Sequence, residues 1–303
     1  MKIIFDTDIG DDIDDALALD LALKLGYEII GVTTVFKNTE FRARIAKKLL
    51  KLYGRQSVPV YAGWGDALQG YADEEEIPCQ FTEDILRSEY APDGGKDDAV
   101  DFLVECAEKY GGDLTIIAIG PLTNMARAVM KNAKAMRGVG QILLMGGDYV
   151  NQYSEWNILC DVDAAKIVYE ADLPLVCFGH ELTSRTQISP EQQAALFSLD
   201  YDGYSRYLAE LSRLWYKSKE AGHLVILHDV ITAYYAAHKE YFKTRETLVK
   251  VESLGEVTRG MTVNLSVMCH YDLNKAHPVR YAVCEKAEAF ADLYFDLLKG
   301  GEK

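Results

Sequence analysis

An open, mostly parallel α/β sheet flanked by helices is the fold class that the sequence predicts, and three observations predict it. Short aliphatic and β-branched runs alternate with stretches of helical periodicity from the first residues to Phe178. The strand-like runs are apolar almost throughout, as in LTIIAI at Leu114–Ile119, which is the pattern of strands buried on both faces by flanking helices. No repeat, linker or low-complexity segment interrupts the alternation, so one domain over residues 1–303 is expected.

The elements follow in order. Lys2–Phe5 reads as a strand and Ala16–Leu25 as an apolar helix. EIIGVTTVF at Glu28–Phe36 is the next strand, followed by the amphipathic Glu40–Tyr53 and a short strand at Val58–Tyr61. Gly63–Gly95 is the least regular stretch and reads as a surface excursion. Ala99–Tyr110 is helical, Leu114–Ile119 a strand and Leu122–Asn132 a helix. Gln141–Met145, Ala164–Glu170 and Leu173–Phe178 repeat strand, helix, strand. Beyond them Pro190–Lys219 reads as one Tyr-rich helix and Val230–His238 as another. Thr247–Val251 and Met261–Val267 are strand-like, Lys286–Leu298 is a closing amphipathic helix, and Gly300–Lys303 is expected to fray. Tyr204, Tyr207, Leu208, Leu211 and Trp215 share one helical stripe and are expected in the core.

In such sheets ligands sit beyond the carboxyl ends of the strands. The polar segments at those ends are Asp6–Asp15, Asn38, Gly120–Asn124, Gly146–Asn157 and Gly179–Thr183, which should converge on one rim. The net charge of -15 repels nucleic acid phosphates and anionic membranes, so a polymeric nucleic acid or membrane partner is not expected. No stretch approaches the ~20 apolar residues of a membrane helix, and MKIIFDTDIG lacks the features of a signal peptide. Cys79, Cys106, Cys160, Cys177, Cys269 and Cys284 form no Cys-x-x-Cys, which suits buried thiols in a reducing cytoplasm.

Asp6–Asp15 (DTDIGDDIDD) packs six carboxylates into ten positions: Asp6, Asp8, Asp11, Asp12, Asp14 and Asp15. Their mutual repulsion is costly unless a cation or water offsets it. Helix capping accounts for Asp14 or Asp15 but not for four more directly after a buried strand. Hard oxygen donors favour Ca²⁺ or Mg²⁺ over zinc. An EF-hand loop is excluded, because its twelfth position from Asp6 is Leu17 instead of Glu. Asp6-x-Asp8 is similar to the start of a haloacid-dehalogenase-type, Mg²⁺-dependent phosphatase, although Gly10 stands where that family usually carries Thr or Val.

DTDIGDDIDDALAL resembles the signature of the inosine–uridine-preferring nucleoside hydrolases. VTTVFKN at Val32–Asn38, IGPLTNMA at Ile119–Ala126, EWNILCDVDAA at Glu155–Ala165 and LHDVITA at Leu227–Ala233 are similar to further motifs of that family, in the same order. The resemblance implies a Rossmann-like sheet, a calcium-dependent N-ribohydrolase acting on a small nucleoside, and a homodimer or homotetramer. It implies that Asp8, Asp15 and Asp229 hold Ca²⁺ through carboxylates and Ile119 through its main-chain carbonyl. Ribose hydroxyls and a water would complete the shell, with Asp8 taking that water's proton. It further implies that Asp14 and Asn38 hold the ribose diol, that Glu155 and Asn157 face the 5′-hydroxyl, and that His228 protonates the leaving base.

The sequence departs from the shortest family pattern by two residues between Gly10 and Asp14, which leaves Asp11 and Asp12 without a role. Lys37 stands where Gly is common, and the asparagine upstream of the family's Glu corresponds to Asn151. Trp156, Tyr149 and Tyr153 flank Glu155 and Asn157 and are the candidates to stack a base. His180 sits at a strand end within reach of the rim, with a structural role the commoner alternative for a lone histidine. Asn124 is expected to be structural. A phosphatase with Asp6 or Asp8 as nucleophile and a non-catalytic nucleoside or ribose binder remain the competing functions.

Overall fold

A computed structural model describes residues 1–70, 75–267 and 276–300. Along the first half run β1 (Lys2–Thr7), α1 (Asp14–Lys24), β2 (Glu28–Thr34), α2 (Thr39–Leu52), β3 (Val60–Ala62), α3 (Lys96–Tyr110), β4 (Leu114–Ala118), α4 (Thr123–Arg137) and β5 (Gln141–Met145). The second half adds α5 (Trp156–Cys160), α6 (Val162–Tyr169), β6 (Leu175–Phe178), α7 (His180–Thr183), α8 (Pro190–Phe197), α9 (Gly203–Lys217) and α10 (His228–Tyr234). It closes with β7 (Lys243–Val251), β8 (Thr262–Asn264), β9 (His277–Val283) and α11 (Phe290–Gly300).

Among the described residues nine strands form one sheet in the order β3-β2-β1-β4-β5-β6-β9-β7-β8. Every pairing from β3 to β9 is parallel, and β7 runs antiparallel to both β9 and β8. The two-residue period of the strands sorts their side chains between two apolar layers. Ile3 and Phe5 face the layer of α1, α2, α9, α10 and α11, while Ile4 faces that of α3, α4 and α6. The chain leaves β1 toward β2 and β3, then returns to the other side of β1 with β4. That reversal places a crevice at the carboxyl ends of β1 and β4, where open α/β sheets bind ligands. Among the described residues no helix is long and apolar enough to cross a membrane.

The differences from expectation have local causes. The stretch read as one helix over Pro190–Lys219 is broken at 198–202. There the Asp202 side chain accepts from Ser205 N at 2.7 Å and caps a new helix, while a Ser189–Gln192 capping box with Pro190 starts the one before. The α9 stripe from Tyr204 to Trp215 is buried as expected. β7 begins at Lys243, four residues before the expected strand, because the exposed charged run Lys243–Glu246 is recruited by pairing with β9. β9 itself was not anticipated, since Pro278 near its start argues against a strand and only its position beside β6 and β7 makes one. The closing helix proper starts at Phe290, after a 3₁₀ turn over Ala287–Ala289.

The irregular stretch after Gly63 is not a pure surface excursion. Gln80 is fully buried, its N–H donates to Gly10 O at 2.9 Å and its Nε2 to Asp12 O at 2.6 Å, so the stretch braces the acidic loop. Cys106, Cys177 and Cys284 are buried, whereas Cys79 and Cys160 are only half-buried; Cys269 and residues 301–303 lie outside the described residues.

Candidate active site

The loop after β1 is shaped by contacts that the aspartates alone do not reveal. Asp6, fully buried, accepts from Thr33 Oγ1 at 2.6 Å and Asn124 Nδ2 at 2.8 Å, and burial pushes its pKa up to about 6. It ties β1 to β2 and α4 beneath the cavity, so it is not available as a phosphatase nucleophile. Asn124 also donates to Thr34 O and accepts from Trp64 N, which is the structural role expected of it. Gly10 has φ +128, and a Cβ there would lie 2.9 Å from Pro78 Cβ, so only glycine makes this turn.

Arg42 threads the loop from α2. Fully buried, it donates Nε to Phe36 O at 2.7 Å, one terminal nitrogen to Ile9 O at 3.1 Å and to Asp8 O, and the other to Asp11 at 2.5 Å. Asp11 is therefore an ion-pair partner of the scaffold. Arg42 was legible in principle: it occupies the buried stripe of α2 with Ile45, Ala46 and Leu49, where a charge is out of place.

Asp14 and Asp15 open α1, and Asp229 lies in the first turn of α10, which packs on α1. All three are buried, and their ligand atoms lie within 4.8 Å of one another. Asp14 Oδ2 accepts from Asp229 N at 3.0 Å, and Asp15 accepts from Thr7 Oγ1 at 2.5 Å. Asp8 stands beside them over Gly120, where an added Cβ would come within 2.9 Å of its Oδ1. Burial, reinforced by the neighbouring carboxylates, raises the pKa of Asp14, Asp15 and Asp229 well above the ordinary range and that of Asp8 to about 7. Such a group of acids is costly to ionise unless a cation joins it. An all-oxygen donor set of this kind fits a hard divalent cation, calcium or magnesium, better than zinc.

A cavity of about 560 Å³ opens above these residues, within the range of small-molecule sites. Its floor holds Asp8, Asp14, Asp15, Asp229 and Ile119. One side is made by Glu155, Trp156 and Asn157 with Met145. Glu155 caps α5, accepting from the backbone N–H groups of Gly147, Asn157 and Ile158 at 2.9–3.1 Å. Asn157 Nδ2 donates to Ile119 O at 3.3 Å and Met145 O at 3.2 Å, so it fixes the very carbonyl singled out as a ligand. His228 also lines the cavity, its Nδ1 2.7 Å from Thr183 Oγ1 and its pKa lowered by burial to about 4. His180, beside it, and Tyr153, stacked on His180, line it too. The mouth is bordered by Lys37, paired with Glu76 at 2.6 Å, and by Lys219, 3.9 Å from Asp12. Phe36 and Lys37 hold φ of +71 and +55, a conformation that explains why glycine would be usual there.

Three sequence candidates are not brought into the cavity. Asn38 caps α2, its Oδ1 accepting from Phe41 N at 3.1 Å, and Lys37 lines the rim instead. Asn151 is tied to Asp148 by a side-chain bond of 3.1 Å, on a loop that curls away. Tyr149 is buried in the layer below, its hydroxyl 2.5 Å from that of Tyr169 and its ring stacked on Tyr281, so it is core and not a base platform. Exposed Trp156 and Tyr153 keep that possibility. Sequence reasoning missed Arg42 and Gln80, and it placed Thr7 and Thr183 in rim segments without a role; all four hold another site residue. The partner of Thr183, His228, is 45 positions away, beyond what a local pattern shows.

The family model of the inosine–uridine preferring nucleoside hydrolases matches residues 3–292. A probable uridine nucleosidase of Arabidopsis thaliana is 31% identical, over 98% of this chain and 97% of its own. A pyrimidine-specific ribonucleoside hydrolase of Citrobacter koseri is 29% identical over 87% of this chain and 88% of its own. Among solved structures, a plant nucleoside hydrolase superposes with a TM-score of 0.81 at 27% identity, covering 98% of both chains. A purine-preferring ribonucleoside hydrolase from Gardnerella vaginalis gives a TM-score of 0.82 at 27% identity over 99% of both.

Proposed function

Since the chain belongs to the inosine–uridine preferring nucleoside hydrolase family, we propose that it hydrolyses the N-glycosidic bond of ribonucleosides at this cavity, with calcium held by Asp8, Asp15, Asp229 and the Ile119 carbonyl. The observation that carries the proposal is the gathering of Asp14 and Asp15 with Asp229, 215 positions from Asp14, in a cavity that His228 also lines. Asp14 belongs to the same carboxylate group and faces the sugar from it. When bound, such a cation lowers the pKa of a water and grips vicinal hydroxyls.

Breaking a ribosyl C–N bond builds positive charge at C1′ and negative charge on the departing base. Asp8, at the cavity beside the carboxylates that would hold the cation, is placed to take the proton of the attacking water. Glu155 and Asn157, locked by their backbone contacts, form a rigid polar end for the 5′-hydroxyl. In the tautomer in which the Thr183 hydroxyl donates to Nδ1, His228 carries Nε2–H toward the cavity. As a neutral imidazole it stabilises the departing base by hydrogen bonding, and solvent supplies the base's final proton. The buried place of Asp6 removes it as a phosphatase nucleophile and leaves that reading to Asp8 alone.

Release of reducing sugar from uridine, inosine, adenosine and cytidine tests the reaction, and phosphate release from phosphomonoesters tests the alternative. Direct attack of water predicts inversion, so a proton NMR time course should show α-ribose first; β-ribose first contradicts the arrangement of Asp8 and the sugar. His228→Ala should lower turnover of nucleosides by about 10²-fold, the lower range for such groups, and that of p-nitrophenyl riboside far less, because p-nitrophenolate leaves unaided. Equal losses on both substrates contradict a role at the leaving group.

A further inference from the structure

We infer that His180 is a second contact for the departing base, a specificity-determining residue set beside His228 on the cavity wall; this rests on the nucleoside-hydrolysing reading of the site. His180 begins α7, directly after β6, and lines the cavity half-exposed. Tyr153 stacks on its ring with centroids 4.1 Å apart and planes 22° apart, and the near-parallel ring of His228 has its centroid 6.0 Å away at 23°. Its backbone N–H is spent on Gly147 O at 2.8 Å. Among the described residues neither ring nitrogen has a hydrogen-bond partner, in contrast to His228, whose Nδ1 is occupied by Thr183. A fixed imidazole with both nitrogens unengaged, facing a cavity, is a preorganised polar group awaiting a ligand atom.

The ligand class follows from the geometry. Tyr153 covers a face of His180, so the ring meets a base at its nitrogen-bearing edge. Neutral His180 offers one donor and one acceptor there, and His228 offers its Nε2 alone, because Thr183 holds its Nδ1. Burial lowers the pKa of His180, which keeps it in that form. A heterocycle with several polar atoms on its rim, a purine or pyrimidine, can use both histidines; an aglycone lacking such a rim cannot.

His180→Phe preserves the stack with Tyr153 and removes the polar edge, and His180→Gln restores polar atoms without a ring. In calcium-loaded protein, His180→Phe is expected to lower kcat/KM for uridine and inosine by about tenfold or more, the loss of one well-placed hydrogen bond. Hydrolysis of p-nitrophenyl riboside should stay within about twofold, and His180→Gln should recover part of the nucleoside activity. Equal losses on all three substrates mark a merely structural ring and overturn the inference, as does unchanged nucleoside turnover in His180→Phe. If the unaltered protein frees no ribose from any nucleoside, the underlying functional reading falls, and the role of His180 falls with it.

Discussion

Asp8→Asn is expected to lower kcat on uridine by about 10³-fold, within the span for loss of a general base. The substitution keeps the shape of the side chain beside Gly120 and leaves the backbone carbonyl that Arg42 holds. Folding should therefore survive, and a melting temperature at or above that of the unaltered protein separates a chemical loss from a structural one. The amide cannot take a proton from water and is a weaker cation ligand, so calcium affinity should fall together with turnover. A variant that keeps full activity shows that the water is activated elsewhere.

Asp229→Asn should produce the second large effect, and its sign depends on the cation. Asp14, Asp15 and Asp229 are buried carboxylates with ligand atoms within 4.8 Å; burial raises the pKa of all three, Asp14 adds to it at Asp15, and both add to it at Asp229. In EDTA the neutral amide removes one like charge from that group, so the variant should melt higher than the unaltered protein. Asp229 N still donates to Asp14 Oδ2, and the start of α10 is kept. In excess calcium the order should reverse. A ligand at a thousand times its Kd adds about 4 kcal/mol to the folded state, and the variant forfeits most of that. Differential scanning calorimetry with and without calcium reads both halves; equal calcium-induced shifts in the two proteins contradict a ligand role for Asp229.

Much of this was readable from the chain alone, for physical reasons. Strands buried on both faces write themselves as apolar runs, so the parallel region from Lys2 to Phe178 could be laid out in order. The crowding of Asp6–Asp15 marked the site, because unshielded repulsion of that density is rare without a counter-charge. What stayed hidden depends on partners far away in sequence. β9 is a strand only because β6 and β7 flank it. The aromatic residues around Glu155 could not be divided by pattern, and one of them, Tyr149, turns inward to Tyr169 while Tyr153 turns outward to His180. Asn38 and Asn151 were read as ligand-binding asparagines; Oδ1 of the first accepts from Phe41 N and Nδ2 of the second donates to Asp148, partners that no sequence pattern shows. Asp11 acquires its role through Arg42, 31 positions on, and through Cys79 N, 68 positions on.

The most direct test of the whole account is calorimetric titration of calcium into EDTA-stripped, dialysed protein, followed by uridine turnover in the same samples. One ion per chain should bind, and ribose release should rise in step with its occupancy. Absence of binding, joined to full turnover in chelator, contradicts the claim that a cation on Asp8, Asp15, Asp229 and Ile119 organises the reaction.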